Sequence, residues 1–398
     1  MKPVLPALAA TFAIQILLST SALVGPVLAP IAAADLGVDA ARVGFFVSSI
    51  YIFAAPVGLI SGGFIARFGG LRVSQVCLAA AAVALTLAAI GSVWLLPLVV
   101  ILLGLGVGPS TPASSQILAR LTPRHLMNLV FSIKQTAVPL GAALAGLALP
   151  SLAIAFGWNA AVLVAGVACL ATAVFVQPLR GRFDSTRDTA HQLDIRQQVV
   201  RPLRLVLKTP GAFHLGVMAF VYAGLQTCVS SVLVTFLVQQ VGQSPVRAGL
   251  VLSTTQASAA VARVVWAAVA DRYVSPYAMM GALGIVSAVC AFITATFSPA
   301  WPFFPLAAVC VVFGISSTGW NGIFLAQIAR LAPPGRAGEL TGGTTLYNFG
   351  GVVILPAIFS AILAATNSYA VAFVALAVPT LVAGATLIRR RDDAERAA

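Results

Sequence analysis

The chain has 398 residues, 60% of them apolar, and its charges are 23 Lys and Arg against 10 Asp and Glu. That makes 8% charged residues, where a soluble domain carries about 25%, and mean hydropathy reaches +1.01. Too few charges remain to coat a soluble surface, so a soluble enzyme, a secreted domain and a disordered scaffold are excluded.

Twelve stretches meet the length of about 20 apolar residues that crosses a hydrocarbon core of about 30 Å. None alternates polar and apolar as a barrel strand would, so the expected fold is an all-α membrane protein of twelve transmembrane helices. The first stretch, 5–33, holds Gln15; it is too long for a removed signal peptide and lacks a small-residue cleavage site. The second covers 43–66 and runs into Arg67, and the third covers 72–93. The fourth, 96–119, is uncharged and rich in glycine, with Gly104, Gly106 and Gly108 followed by Pro109 and Pro112. The fifth, 127–154, carries Lys134 and Pro139-Leu-Gly141, and the sixth covers 159–178. Next comes a polar, Arg-rich segment over 179–210, expected to be a cytoplasmic linker with a short surface helix near 194–207. The seventh span, 211–238, holds Tyr222 and Gln226; the eighth, 246–270, holds Gln256 and Arg263; the ninth covers 276–298. Trp320 and Asn321 fall in the tenth (302–328), Tyr347 and Asn348 in the eleventh (340–365), and the twelfth covers 368–388. Trp94, Trp158 and Trp301 lie near the outer loops, where belt anchoring explains them. The five cysteines fall singly within spans, without metal or disulfide spacing.

Positive charge gives the orientation. With both termini cytoplasmic, 19 of the 23 basic residues face inward, Arg42 and Arg247 face outward, and only Lys134 and Arg263 lie inside spans. The basic excess therefore anchors loops beside anionic lipid rather than binding nucleic acid. The halves also repeat. Arg42-Val-Gly44 and Ala66-Arg67-Phe68 return 205 residues later as Arg247-Ala-Gly249 and Asp271-Arg272-Tyr273, and the exit of the fourth span through Arg120 returns in the tenth through Arg330. Two pseudo-symmetric six-helix bundles, 1–178 and 211–398, joined by the linker 179–210, is the layout of a secondary transporter.

On these features the chain resembles the major facilitator superfamily over essentially its whole length. The family's Gly-x-x-x-Asp-Arg-x-Gly loop appears here as Gly62, Ala66, Arg67 and Gly69, with the Asp replaced by Ala66; the second copy keeps it, as Asp271-Arg272. The resemblance implies that Arg67, Asp271 and Arg272 take part in gating by charge pairing and helix ends, with the first half of that latch weakened. A lone Arg in the eighth helix is similar to that of the monocarboxylate and oxalate/formate branches, where it holds the substrate carboxylate. The acidic residue that the monocarboxylate branch carries one turn earlier is Ala259 here, which removes the expected proton-linked carboxylate.

Ionisable residues inside a span cost at least about 2.5–3.5 kcal/mol each and so mark a pathway by default. Lys134 and Arg263 are the two, and no Asp or Glu lies deep in any span: Asp35 and Asp39 fall at the outer edge, Asp271 and Glu339 at the inner. Two buried cations call for an anion from elsewhere, and a substrate carboxylate suits the Arg fork. The structural alternatives are that Lys134 snorkels to the interface and that Arg263 binds helix-end carbonyls or Asp271. Gln15, Tyr222, Gln226, Gln256, Trp320, Asn321, Tyr347 and Asn348 are the polar and aromatic residues expected to frame the ligand, and the resemblance implies that helices five and eight face one another.

The expectation is a monomeric, multi-pass transporter of the cell inner membrane for a small organic anion, by rocker-switch alternating access, with proton-linked uptake favoured. An exporter of neutral drugs or metabolites and an anion exchanger stand as alternatives. No Gly-rich phosphate loop, catalytic triad or paired carboxylates are present, so neither a cofactor nor enzymatic activity is expected.

Overall fold

The computed structural model describes residues 4–39, 42–123, 127–185, 187–188, 195–333 and 337–396. Apolar runs of this length bury their amide groups most cheaply in their own helical hydrogen bonds, and among the described residues the elements are helices with no strand. Twelve spans are long and apolar enough to cross a membrane. The protein is an all-α, multi-pass membrane protein.

Contacts divide it into two compact units, 1–40 with 49–199 and 41–48 with 200–398, so the division falls within α9. In sequence order unit 1 draws on α1 (Val4–Leu36), α2 (Val43–Phe68), α3 (Gly70–Ala89), α4 (Leu96–Val107), α5 (Ser110–Leu121), α6 (Met127–Phe156), α7 (Trp158–Phe175) and α8 (Arg180–Phe183). After α9 (Ile195–Lys208), unit 2 contains α10 (Ala212–Gln239), α11 (Pro245–Arg272), α12 (Pro276–Thr294), α13 (Phe303–Thr318), α14 (Asn321–Leu331), α15 (Ala337–Thr366) and α16 (Tyr369–Arg396). The fourth and tenth spans are each two helices, α4 with α5 and α13 with α14.

The repeat seen in the sequence is physical. Unit 1 packs α1 on α6 and α3 on α7; unit 2 packs the equivalent pairs, α10 on α15 and α12 on α16. Glycines permit the approach at matching places. A Cβ on Gly141 would strike the Ile16 carbonyl oxygen of α1, and one on Gly351 would strike that of Phe220 on α10. Gly104 lies against the Ile50 carbonyl of α2 (2.7 Å from an added Cβ), and Gly314 against the Thr255 carbonyl of α11 (2.5 Å). Backbones this close gain dispersion along their whole contact, which replaces the hydrophobic drive that lipid does not supply.

Two details differ from expectation. Trp94 is 88% exposed, as a belt residue would be, but Trp158 is buried and its Nε1 donates to Asp35 Oδ2 at 2.8 Å. An indole N–H needs a partner once it leaves water, and the acid at the end of α1 supplies it. The helix expected near 194–207 is α9, whose Leu205 and Val206 are buried, with the Pro202 carbonyl against Gly343 of α15.

Candidate functional site

Gln15 and Lys134 reach the break in the fourth span, and Gln226 reaches Asn321 at the break in the tenth. Pro109 has no N–H, so the carbonyl of Leu105, four residues earlier, loses its helical donor; the Cys77 thiol of α3 donates to it at 3.8 Å. Gly108 (φ −56, ψ −55) and Pro109 (φ −76, ψ −13) keep helical torsions, so the ladder is interrupted without unwinding. Ser110 Oγ donates to the Val107 carbonyl at 2.7 Å. Around the start of α5, Thr111 Oγ1 donates to Gln15 Oε1 at 3.4 Å, and Gln15 Nε2 donates to Ser19 Oγ at 3.4 Å. The Thr111 carbonyl accepts from Lys134 Nζ at 3.4 Å.

Lys134 is 1% exposed, among the largest fully buried side chains of the molecule. It sits seven residues into α6, or about 10 Å along it at 1.5 Å per residue. Its hydrogen-bond partner is a neutral carbonyl, and among the described residues no carboxylate pairs with it.

In unit 2 the tenth span breaks at the corresponding place without a proline. Ser316 Oγ donates back to the Val312 and Phe313 carbonyls at 2.9 and 3.1 Å, Trp320 Nε1 to Ser317 O at 3.0 Å, and Asn321 Nδ2 to Thr318 O at 3.3 Å. Side chains that bond the backbone locally compete with the helical ladder, and Gly319 marks the interruption. Asn321 opens α14 and donates to Gln226 Oε1 of α10 at 3.0 Å. Arg263 on α11 is 8% exposed. One turn from it, Trp266 packs over Gly319, where any side chain would collide with the indole. Arg263 stands nine residues before Arg272 and Asn321 nine before Arg330, so each lies about 14 Å along its helix from that arginine.

The other expected ligand residues scatter. Gln256 is buried and donates to Ser230 Oγ at 2.5 Å, tying α11 to α10. Tyr222 is 3% exposed, gives its hydroxyl to the Met280 carbonyl at 3.2 Å, and meets Trp320 edge-on at 5.8 Å. Trp320 is fully buried, so neither aromatic presents surface to a ligand in this structure. Tyr347 packs on Phe213 and Gly216 in the first two turns of α10, about 15 Å below the level of Gln226. Asn348 is half-buried beside it on α15. Of the two interruptions, the first is marked in the sequence by Gly108-Pro109, while the run Ser316-Ser317-Thr318-Gly319 that marks the second was missed.

The residues expected to take part in gating give a second finding. Arg67 is exposed, its guanidinium 5.6 Å from the centroid of the Phe68 ring. The side chains of Asp271 and Arg272 lie outside the described residues. Where the loop after α2 lacks its acid, a carboxylate arrives from the linker. Asp184, 4% exposed, accepts from the Leu71 and Arg72 backbone N–H groups at 2.9 and 3.0 Å, capping α3 from 112 residues away, with Arg180 Nε 4.0 Å from its Oδ2. Arg120 Nη2 donates to the Phe183 carbonyl at 2.6 Å, and the Asp188 N–H bonds the Ala66 carbonyl at 2.9 Å. Gly69, at φ 94, leaves the space that the carboxylate fills. A distant acid at a helix N-terminus is not readable from local spacing. No cluster of three His, Cys, Asp or Glu stands ready for a metal among the described residues.

No curated protein is similar to the chain in sequence. Its fold is similar to that of solved transporters at low identity. A bacterial homolog of the human lysosomal transporter Spinster, inward-facing and unoccupied, superposes with a TM-score of 0.77 at 16% identity, covering 96% of this chain and 95% of that one. The nucleoside transporter NupG, as a point mutant, gives 0.76 at 15%, covering 96% and 98%. A peptide transporter, POT, in complex with sulfate gives 0.75 at 17%, covering 97% and 94%. These likenesses establish the architecture, and the sequence pattern of the family itself matches residues 10–356. With twelve spans, a doubled helix-packing scheme and that match, the chain belongs to the Major Facilitator Superfamily of transporters.

Proposed function

We propose that the chain is a secondary transporter of a small organic anion, a carboxylate, working by alternating access, with Lys134 and Arg263 as its anion-binding residues. The observation that supports this most is Lys134: a fully buried side chain whose hydrogen bond goes to a neutral carbonyl. A buried charge without a counter-charge is destabilising by several kcal/mol, and a substrate carboxylate removes that penalty while bound. Arg263 offers the planar fork that takes a carboxylate through two parallel bonds. The basic loops support a cytoplasmic location for the termini and linker, in an inner membrane. One chain supplies both repeats, so a monomer suffices. With the inside negative, each entering anionic charge costs about 2.3 kcal/mol per 100 mV, so uptake needs a proton, a cation or an exchanged anion to offset it, and the proton is the coupling proposed.

The experiment is uptake into proteoliposomes across a panel of carboxylates, with thermal stabilisation by the same compounds, for wild type, Arg263→Ala and Lys134→Ala. Truncating one partner of a buried, hydrogen-bonded charge pair costs about 2–5 kcal/mol, so at least one variant should lose about 30-fold or more in apparent affinity. Equal responses from all three proteins sink the reading. Collapse of the pH gradient should abolish accumulation; unchanged accumulation removes the proton.

A further inference from the structure

Each unit carries a bridge from a glutamine on its first helix to the start of the second half of its broken span, yet the two bridges end differently. In unit 1, Gln15 accepts from Thr111 and donates to Ser19, so both ends of its amide are occupied, and it is 5% exposed. In unit 2, Asn321 Nδ2 spends its two hydrogens on Gln226 Oε1 at 3.0 Å and on the Thr318 carbonyl at 3.3 Å. The Thr318 contact requires an N–H and so fixes which way the Asn321 amide points. Among the described residues, Gln226 Nε2 and Asn321 Oδ1 then take no further partner. Both residues are half-buried, whereas Gln15 is buried and its partner Thr111 is exposed.

Two observations connect this amide pair to Arg263. Asn321 and Arg263 are each nine residues from the exit arginine of their own helix. Trp266, a turn from Arg263, packs on Gly319, two residues before Asn321. The pair therefore lies beside the arginine's turn of α11.

We propose that Gln226 and Asn321 form an uncharged second subsite that reads a group able both to accept and to donate a hydrogen bond, a hydroxyl or a carboxamide, on the carbon skeleton of the anion. This rests on the carboxylate reading and narrows it. Gln226 Nε2 donates to the group's oxygen, and Asn321 Oδ1 accepts its O–H or N–H. A plain alkyl chain gives neither bond and strips water from both amide atoms, and a site built to bond a hydroxyl rejects the analogue lacking it far more strongly than an apolar pocket rejects a missing methylene.

The test compares proteoliposome uptake of butanoate, of 2-, 3- and 4-hydroxybutanoate, and of 4-amino-4-oxobutanoate, in wild type, Gln226→Met, Asn321→Leu and Arg263→Ala. Wild type should favour at least one substituted anion over butanoate by about tenfold. Gln226→Met and Asn321→Leu should bring that ratio within about twofold while butanoate uptake persists. Arg263→Ala should weaken every anion alike. Should Asn321→Leu not fold, Gln226→Met, whose side chain keeps its length on α10, carries the same expectation. Carriage of all anions without preference, or a preference that survives both variants, overturns the subsite and leaves the carboxylate reading standing. No carriage of any anion by folded wild type overturns the carboxylate reading, and the subsite with it.

Discussion

The two units share their backbone approach and differ in chemistry. Gly141 on Ile16 and Gly351 on Phe220 allow the same close crossing, as do Gly104 on Ile50 and Gly314 on Thr255. Against that common frame, unit 1 buries a lysine beside the break in its fourth span, and unit 2 buries an arginine on the helix next to its own. The glutamines that reach the breaks are not equivalent either. If Ile16 matches Phe220, then Gln226 stands two turns beyond the position of Gln15. Duplication has kept what lets helices touch and has let the polar groups drift to new positions around one feature, the interrupted span.

The sharpest way to break the comparison is to exchange cation types. If Arg263 acts through its fork, Arg263→Lys keeps the charge but loses the paired geometry. A charge-assisted hydrogen bond is worth about 1.5–3 kcal/mol, so apparent affinity for the carboxylate should fall about 10- to 100-fold. A lysine ammonium is a point charge, so the reverse change tests packing: at 1% exposure, Lys134→Arg inserts a larger group and should lower thermal stability by about 1–3 kcal/mol. If both changes leave uptake and melting untouched, the cations serve neither purpose.

The shared frame should break symmetrically. Gly141→Val and Gly351→Val each place a branched side chain against a backbone carbonyl that has no flexible end to yield. Each should cost about 1–3 kcal/mol, read as a lower melting temperature in detergent. A large loss at one glycine and none at the other would show that the second unit's packing is not the first one's repeated.

Much of this was legible in the residues. Twelve spans and the doubling follow from hydropathy and from Arg67 and Arg272 standing 205 apart, because the bilayer leaves the backbone few other solutions. Lys134 and Arg263 stand out because charge in a span is rare. The interruptions were harder to see: both keep helical torsions, and small Ser, Thr and Gly residues are common enough in spans that Ser316-Ser317-Thr318-Gly319 does not stand out as a break. Tyr222 and Trp320 look like ligand residues by composition and depth, but only coordinates show Tyr222's hydroxyl spent on Met280 and Trp320's indole on Ser317. Trp158 illustrates the same limit, since its partner Asp35 is 123 residues away.

Asp184 offers the next effect in size, and one confined to unit 1. Asp184→Ala removes both acceptors at the start of α3 and should destabilise by about 1–2 kcal/mol, the range of a lost helix cap. Asp184→Asn keeps one acceptor oxygen and should recover part of that. Thermal unfolding of the two variants reads the difference. A melting temperature equal to wild type for both would mean that the buried carboxylate does not hold the linker to α3.

Pro109 should matter least, and the reason lies in unit 2. Pro109→Ala restores an N–H to the Leu105 carbonyl, which now takes only a long bond from the Cys77 thiol. The new hydrogen bond gains about 1 kcal/mol, while the unfolded chain regains freedom worth about 0.4–1 kcal/mol, so the two nearly cancel. The break itself should survive, because α13 and α14 part at the corresponding place with no proline, on side-chain bonds from Ser316, Trp320 and Asn321 alone. Ser110 already makes the matching bond to Val107. Melting within about 0.5 kcal/mol of wild type, by the cancellation just given, together with unchanged uptake is the expected pair of results. Loss of uptake with unchanged melting would instead place the origin of the first break in the proline, and would make the two interruptions alike in position but different in cause.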